Sequence, residues 1–266
     1  MPRVLLILLG YCAQHVWADV HVAGNHVSNR TYDECIKSKY SGKFWCSEHD
    51  REKSRERKGF SCMNATASFI HFIGDSVMIE LKDSYDCLCA GKTTLLGAKG
   101  IKAPADKAFE KTLPHVRQGD VVVVGFGLWF SGSKLKAYVK QLRRLRNMFQ
   151  HAIQAHPWLK IVWVRTVAQH FCTKGGVYKL GATKCCPARN PDTSRQKAVD
   201  DNLLRPLQGL IAIYDAFALT KAWHDAHPGE GDCTHLCSED NGPMQELASK
   251  FSAFLHEQTV DNGWEV

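Results

Sequence analysis

From Ser68 onward, short apolar runs alternate with stretches in which apolar residues recur every three or four positions. "FIHFI" (69–73) is the first such run and predicts a strand, with a helix following from about Val77. "TTLLGAKG" carries a weaker second strand. "DVVVVGFG" is apolar almost without interruption, as expected of a strand covered on both faces. "KLKAYVKQLRRLRNMFQHAIQAH" has helical spacing with basic residues on the opposite face, and Pro157 stops it. "KIVWVRT" is the next buried strand. "SRQKAVDDNLLRPLQGL" predicts a helix that Pro206 ends or kinks, "IAIYDAF" the last strand, and "GPMQELASKFSAFLHEQ" a closing helix with Pro243 near its first turn. Strands alternating with helices predict one three-layer α/β domain, a parallel sheet flanked by helices. Ahead of it lies a polar, cysteine-bearing stretch to about Gly59, whose mixed-charge run "EHDREKSRERK" reads as a solvated helix or loop. No repeat or linker divides the remainder.

The first residues change the expected compartment. Arg3, the apolar run Val4–Leu9 and the small residues Val16 and Ala18 fit a cleaved export signal over 1–18, with an uncleaved anchor as the alternative. The run is too short to span a bilayer, and no other segment is long and apolar enough. The expected organisation is therefore a signal (1–18), a cysteine-bearing segment (19–59) and the α/β domain (60–266). Of eleven cysteines, Cys12 lies in the signal, which leaves an even set that reads as disulfides in an exported chain. Sequons at Asn29 and Asn64 agree with passage through a secretory lumen, Golgi or beyond. Lys and Arg exceed Asp and Glu by 34 to 27, a formal charge of +7 that favours anionic partners such as acidic glycans. A nucleic-acid partner fits poorly, because the expected compartment is wrong for it and no recognised binding motif is present.

Two stretches carry chemistry. In "SFIHFIGDSVMIE" the first strand ends at Gly74-Asp75-Ser76 and a helix begins at once. Glycine for the turn and Asp or Ser as a helix cap is a sufficient local reason. The other reading places Ser76 as a nucleophile at the carboxyl edge of the sheet, where open α/β folds bind ligands. In "HDAHPGEGDCTHLCSEDNG", Asp232 and His235 are three residues apart, close enough for a carboxylate to hold an imidazole. A serine nucleophile needs such a base and such an orienting group. Against this, His235 reads equally as a surface histidine, and Cys233, His235 and Cys237 have residue types that suit zinc. His224, Asp225 and His227 read as a solvated loop or a second site.

The Gly-Asp-Ser strand end and the run Asp232-Cys233-Thr234-His235-Leu236-Cys237 resemble the GDSL/SGNH-type acyl-esterase fold. More narrowly, they resemble the PC-esterase group that includes plant trichome-birefringence-like polysaccharide O-acetyltransferases. "YDAFALTKAWHDAHPGEGDCTHLCSEDNGPMQEL" is similar to that group's closing segment. "VWVRTVAQHFCTKGGVYKLGATKCC", with Arg165-Thr166 and His170-Phe171, is similar to its middle block. The resemblance implies that Ser76 is the nucleophile, His235 the base and then acid, and Asp232 the orienting carboxylate. It also implies O-acetyl transfer to a glycan hydroxyl through an acyl-serine, with an acetyl donor as co-substrate and no bound cofactor or metal. A secreted acetyl esterase and a catalytically weak glycan-binding protein are the alternatives. Two departures stand out. Gly125-Phe126-Gly127-Leu128-Trp129-Phe130 lacks the side-chain amide of the group's third-strand loop, so oxyanion donors are expected from the backbone N–H groups of Ser76, Gly125 and Gly127. Val77-Met78-Ile79-Glu80 stand where an arginine commonly follows the serine. Trp129, Phe130, Arg165 and Trp223 are expected to line the substrate groove. Cys233 and Cys237 are each expected to bond a distant cysteine, one in the Cys185/Cys186 pair and the other Cys35 or Cys46.

Overall fold

The computed structural model describes residues 32–39, 60–63, 67–89, 92–97, 104–130, 134–179, 181–187, 193–228 and 231–260. The export signal, both sequons (Asn29, Asn64) and Cys46 lie outside them. Five strands form one parallel sheet: β1 Ile70–Gly74, β2 Thr93–Gly97, β3 Val121–Gly125, β4 Lys160–Val164 and β5 Ala212–Tyr214, in the order β2-β1-β3-β4-β5. Helix α1 is Tyr32–Lys39, α2 Ser76–Cys89, α3 Ala105–Thr112, α4 Leu135–Ala155, α5 Thr193–Leu204, α6 Ala216–Thr220 and α7 Pro243–Val260. This is the SGNH-hydrolase-like α/β/α architecture.

The valine run of β3 is buried throughout, and alternate residues serve opposite layers. Val121 and Val123, with Phe72 of β1, join Leu81 and Tyr85 of α2 and Leu247 and Phe251 of α7. Val122 and Val124, with Ile73, join Phe109 of α3, Leu142 and Phe149 of α4 and Leu204 of α5. Each large apolar side chain buried this way contributes about 1.5–3 kcal/mol of transfer free energy. On the α4/α5 side, Asp200 accepts from the Tyr138 hydroxyl (2.5 Å) and the Trp163 indole N–H (3.1 Å). The amino-terminal segment is laid on α2 by the disulfides Cys35–Cys87 and Cys62–Cys89 and by the Tyr32 hydroxyl donating to Ser84 (2.9 Å).

The hydrophobic pattern does not announce α3 or α6. Only Ala105, Ala108 and Phe109 mark the buried face of α3, too few to set a period. Pro206 acts as a helix end: α5 stops at Leu204 and a 3-10 turn, Arg205–Leu207, follows. Among the described residues, no helix is long and apolar enough to cross a membrane.

Candidate active site

The turn after β1 is built by three residues with three different duties. A Cβ on Gly74 would lie 2.1 Å from the Gly125 carbonyl oxygen and 2.2 Å from Met78 Cγ, so β1 can reach β3 and α2 this closely only with glycine. Asp75 caps α2, its carbonyl accepting from the Ile79 N–H (3.1 Å), while its carboxylate accepts from the N–H groups of Gly127 (3.1 Å) and Leu128 (3.3 Å). Burial raises the Asp75 pKa to about 6 even against those bonds. Ser76 then opens α2 at the carboxyl ends of β1 and β3, the point where the strand order reverses. Local capping and the presentation of a serine are thus satisfied by one turn.

The second half comes from the loop between α6 and α7. Asp232 Oδ1 accepts from the backbone N–H groups of Thr234 and His235 (both 3.0 Å), closing a tight turn. Asp232 Oδ2 accepts a hydrogen bond from His235 Nδ1–H at 2.6 Å, and the Ser76 hydroxyl donates to His235 Nε2 at 2.8 Å. Burial works against both charges. The His235 bond nevertheless leads the factors that hold Asp232 down to about 2. The Asp232 bond leads those that leave His235 above the ordinary imidazole value. Such a line can draw the serine proton onto the imidazole as Oγ attacks an electrophile, with the carboxylate steadying the cation that forms.

Buried histidines and disulfides hold this loop. His227 donates from Nδ1 to the His235 carbonyl (2.6 Å), and its Nε2 lies 2.7 Å from His170 Nδ1. His227 is 3 % exposed, which rules out the solvated-loop reading; it buttresses the residue facing Ser76. Burial lowers its pKa to about 4. Cys185–Cys233 ties the loop to the segment after β4, and Cys172–Cys186 closes that segment on itself. Cys237 is disulfide-bonded too, so neither cysteine flanking His235 is a thiolate available to zinc. Cys35 is not its partner, being bonded to Cys87 where α1 lies along α2; the alternative, Cys46, lies outside the described residues. Among the described residues, no three His, Cys, Asp or Glu side chains are grouped to hold a metal ion.

A cleft of about 650 Å³ opens over Ser76, Asp232 and His235, with Leu128, Trp129, Lys134, Gln169, Phe171 and Tyr178 in its walls. Trp129 and Tyr178 are each 55 % exposed on its rim. Three expected groove residues are elsewhere. Phe130, next to Trp129 in a 3-10 turn, points inward onto Phe126 and Tyr138 (centroids 5.7 and 5.8 Å). Trp223 packs against the core beneath α7. Arg165 forms ion pairs with Asp201 and Asp215 and borders a separate cavity of about 680 Å³ beside the edge strand β5. One of the expected backbone donors needs a like correction. Gly127 gives its N–H to Asp75, and Gly125 is a packing glycine in register with Gly74, its absent Cβ leaving room for Met78 Sδ (2.6 Å). The Ser76 N–H lies in the first turn of α2, where N–H groups lack intrahelical partners. The sequence reading gives Tyr178 and Gln169 no place, and it names His227 as part of a loop or second site, His170 as part of the middle block and Glu80 as standing where an arginine is common, without the roles seen here. Only Tyr178, an aromatic beside the glycine pair, carried a local signal.

No protein-family model matches the chain. No curated protein matches it either. Solved structures do resemble it. A candidate platelet activating factor from Streptococcus pneumoniae is 16 % identical with a TM-score of 0.49, covering 78 % of this chain and 92 % of its own. The catalytic domain of the Streptococcus pneumoniae peptidoglycan O-acetyltransferase A, solved with a methylsulfonyl adduct, is 15 % identical at 0.46, covering 74 % and 96 %. A candidate SGNH hydrolase from Slackia heliotrinireducens is 16 % identical at 0.48, covering 73 % and 98 %. At such identities and scores a likeness names no substrate and no activity for this chain.

Proposed function

We propose that this protein is an acyl-transferring enzyme of the SGNH type that works through an acyl-serine, with a glycan hydroxyl as acceptor and an acetyl ester as donor. The observation that carries the reading is the hydrogen-bonded line Ser76–His235–Asp232 at the floor of an open cleft. Ser76 Oγ attacks the donor carbonyl while His235 Nε2 takes its proton. The Ser76 N–H and the amino end of α2 face the developing oxyanion. His235 returns the proton to the leaving oxygen, and the acceptor hydroxyl repeats the sequence in reverse. The chemistry needs no resident cofactor. The trichome-birefringence-like resemblance of the closing segment supports acetyl as the acyl group, and the export signal with its sequons supports action in the secretory pathway on its glycans.

Transfer rather than hydrolysis requires the acceptor to be held against the acyl-serine, since water is present at about 55 M. Trp129 and Tyr178 on the cleft rim offer flat faces to sugar rings, which supports transfer. The decisive measurement is labelling by a fluorophosphonate. Wild type is expected to take one label at Ser76 and Ser76→Ala none; an unreactive wild type would leave a glycan-binding protein. With an acetyl donor and oligosaccharides, wild type should yield acetylated oligomer. Trp129→Ala should acylate normally from a small activated ester but transfer poorly. Acetate alone, whatever oligosaccharide is offered, would make the protein an esterase.

A further inference from the structure

Glu80 sits one helical turn beyond Ser76 in α2, on a buried side of the helix. It is 1 % exposed, and neither carboxyl oxygen has a well-formed hydrogen bond, the Leu236 backbone N–H being the donor that faces it. Its Oε1 is 3.8 Å from His235 Nε2, the nitrogen that faces Ser76. The other charged groups that act on it are Asp232, across the same imidazole, and Asp75, from the β1 turn. A second carboxyl therefore flanks the imidazole, and the catalytic line described above makes no use of it.

A charge held this deep with no well-formed hydrogen bond is expensive, while a neutral carboxylic acid is tolerated far better. His235 and Glu80 are also close enough to compete for a proton. With Glu80 ionised and His235 protonated, Nε2–H would donate to Ser76 across the same 2.8 Å contact and could not take the serine proton. We propose, building on the acyl-serine reading, that Glu80 is a positioning acid acting through His235: it keeps a proton in the resting site, which leaves the imidazole neutral and able to take the serine proton. Raising the pH removes the Glu80 proton to solvent. The carboxylate left behind then faces the imidazolium that forms as Ser76 Oγ bonds to the acyl carbon and its proton moves to Nε2. Burial, the largest influence on Glu80, raises its pKa to about 8, and at this separation it titrates as a coupled pair with His235, itself raised above the ordinary imidazole value.

The test is the pH dependence of acylation by a small activated acetyl ester, read from the pre-steady-state burst. Wild type should rise once as His235 loses its proton and again, by about tenfold, as Glu80 ionises near pH 8. Glu80→Gln, a neutral mimic of the protonated acid, should keep the first rise unmoved and lose the second. Glu80→Met, uncharged and of similar length, should do the same if the glutamine variant folds poorly. A residue with a merely structural role would not change the shape of the profile. A single-step wild-type profile overturns the proposal, and so does a first rise displaced to lower pH in Glu80→Gln, which would mean an ionised Glu80 paired to a protonated His235. Should the wild type fail to react with ester or fluorophosphonate, the acyl-serine reading falls instead. The His235 ring signals, followed by NMR, still decide Glu80: two inflections in wild type and one in Glu80→Gln support it, and identical curves refute it.

Discussion

Asp232 makes three hydrogen bonds with two oxygens: two fix its own turn and the third fixes the His235 tautomer. An amide in its place keeps the shape of the turn but removes the charge, and presents a donor to Nδ1 in one of its two orientations. Asp232→Asn should therefore fold normally and lower kcat for an activated ester by about a thousandfold to ten-thousandfold. Circular dichroism together with burst kinetics checks both halves. Less than a tenfold loss would mean that the carboxylate does not set the tautomer. Phe130 and Trp129 make the same point about orientation: two adjacent aromatics, one 3 % and one 55 % exposed, occupy opposite sides of a single turn.

At the level of elements, Ser76 and His235 belong to segments 159 residues apart and meet only if the loop before α7 is held down. The amino half of the site needs no crosslink, because β1, α2 and β3 are packed through Gly74. The carboxyl half lies in irregular chain and leans on Cys185–Cys233, which closes a span of 48 residues, and on the His227 contact. Replacing both cysteines by serine should lower stability by about 2–5 kcal/mol and slow fluorophosphonate labelling by more than the unfolded fraction explains. Thermal melting and labelling rates on the same sample separate the two effects. An unchanged labelling rate would show that the sheet edge alone positions His235.

The whole molecule carries buried acids and buried histidines that pull in opposite directions. Burial raises Asp75 to about 6, Glu80 to about 8 and Asp200 to about 7. The native state keeps these protons after the unfolded chain, with carboxyl values of 3.8 and 4.5, has lost them, so stability falls as pH rises through that window up to about 8. His227, lowered to about 4, with His170 and His71 also lowered by burial, refuses protons that the unfolded chain takes up below 6.5, so stability falls as pH drops from there. The melting temperature should therefore peak on the mildly acidic side and be lower at pH 9 than at pH 6. Asp200→Asn should flatten the alkaline slope. A scan that rises from pH 6 to 9 contradicts the assignment.

The alternation of apolar runs with helical spacing determined a parallel α/β sheet, because strands buried on both faces read as nearly continuous apolar runs. Gly-Asp-Ser after β1 and Asp-x-x-His before α7 were legible as chemistry for a related reason: every loop that follows a parallel strand emerges at one edge. Which side chains turn into the cleft was decided by tertiary structure alone. Helix phase brings Glu80 to His235, a 3-10 turn sends Phe130 inward and Trp129 outward, and paired aspartates draw Arg165 to the far edge. The Asp75 carboxylate takes the Gly127 N–H that sequence spacing left free. Direction at a turn and competition for a hydrogen-bond donor depend on neighbours distant in the chain, and local pattern carries neither.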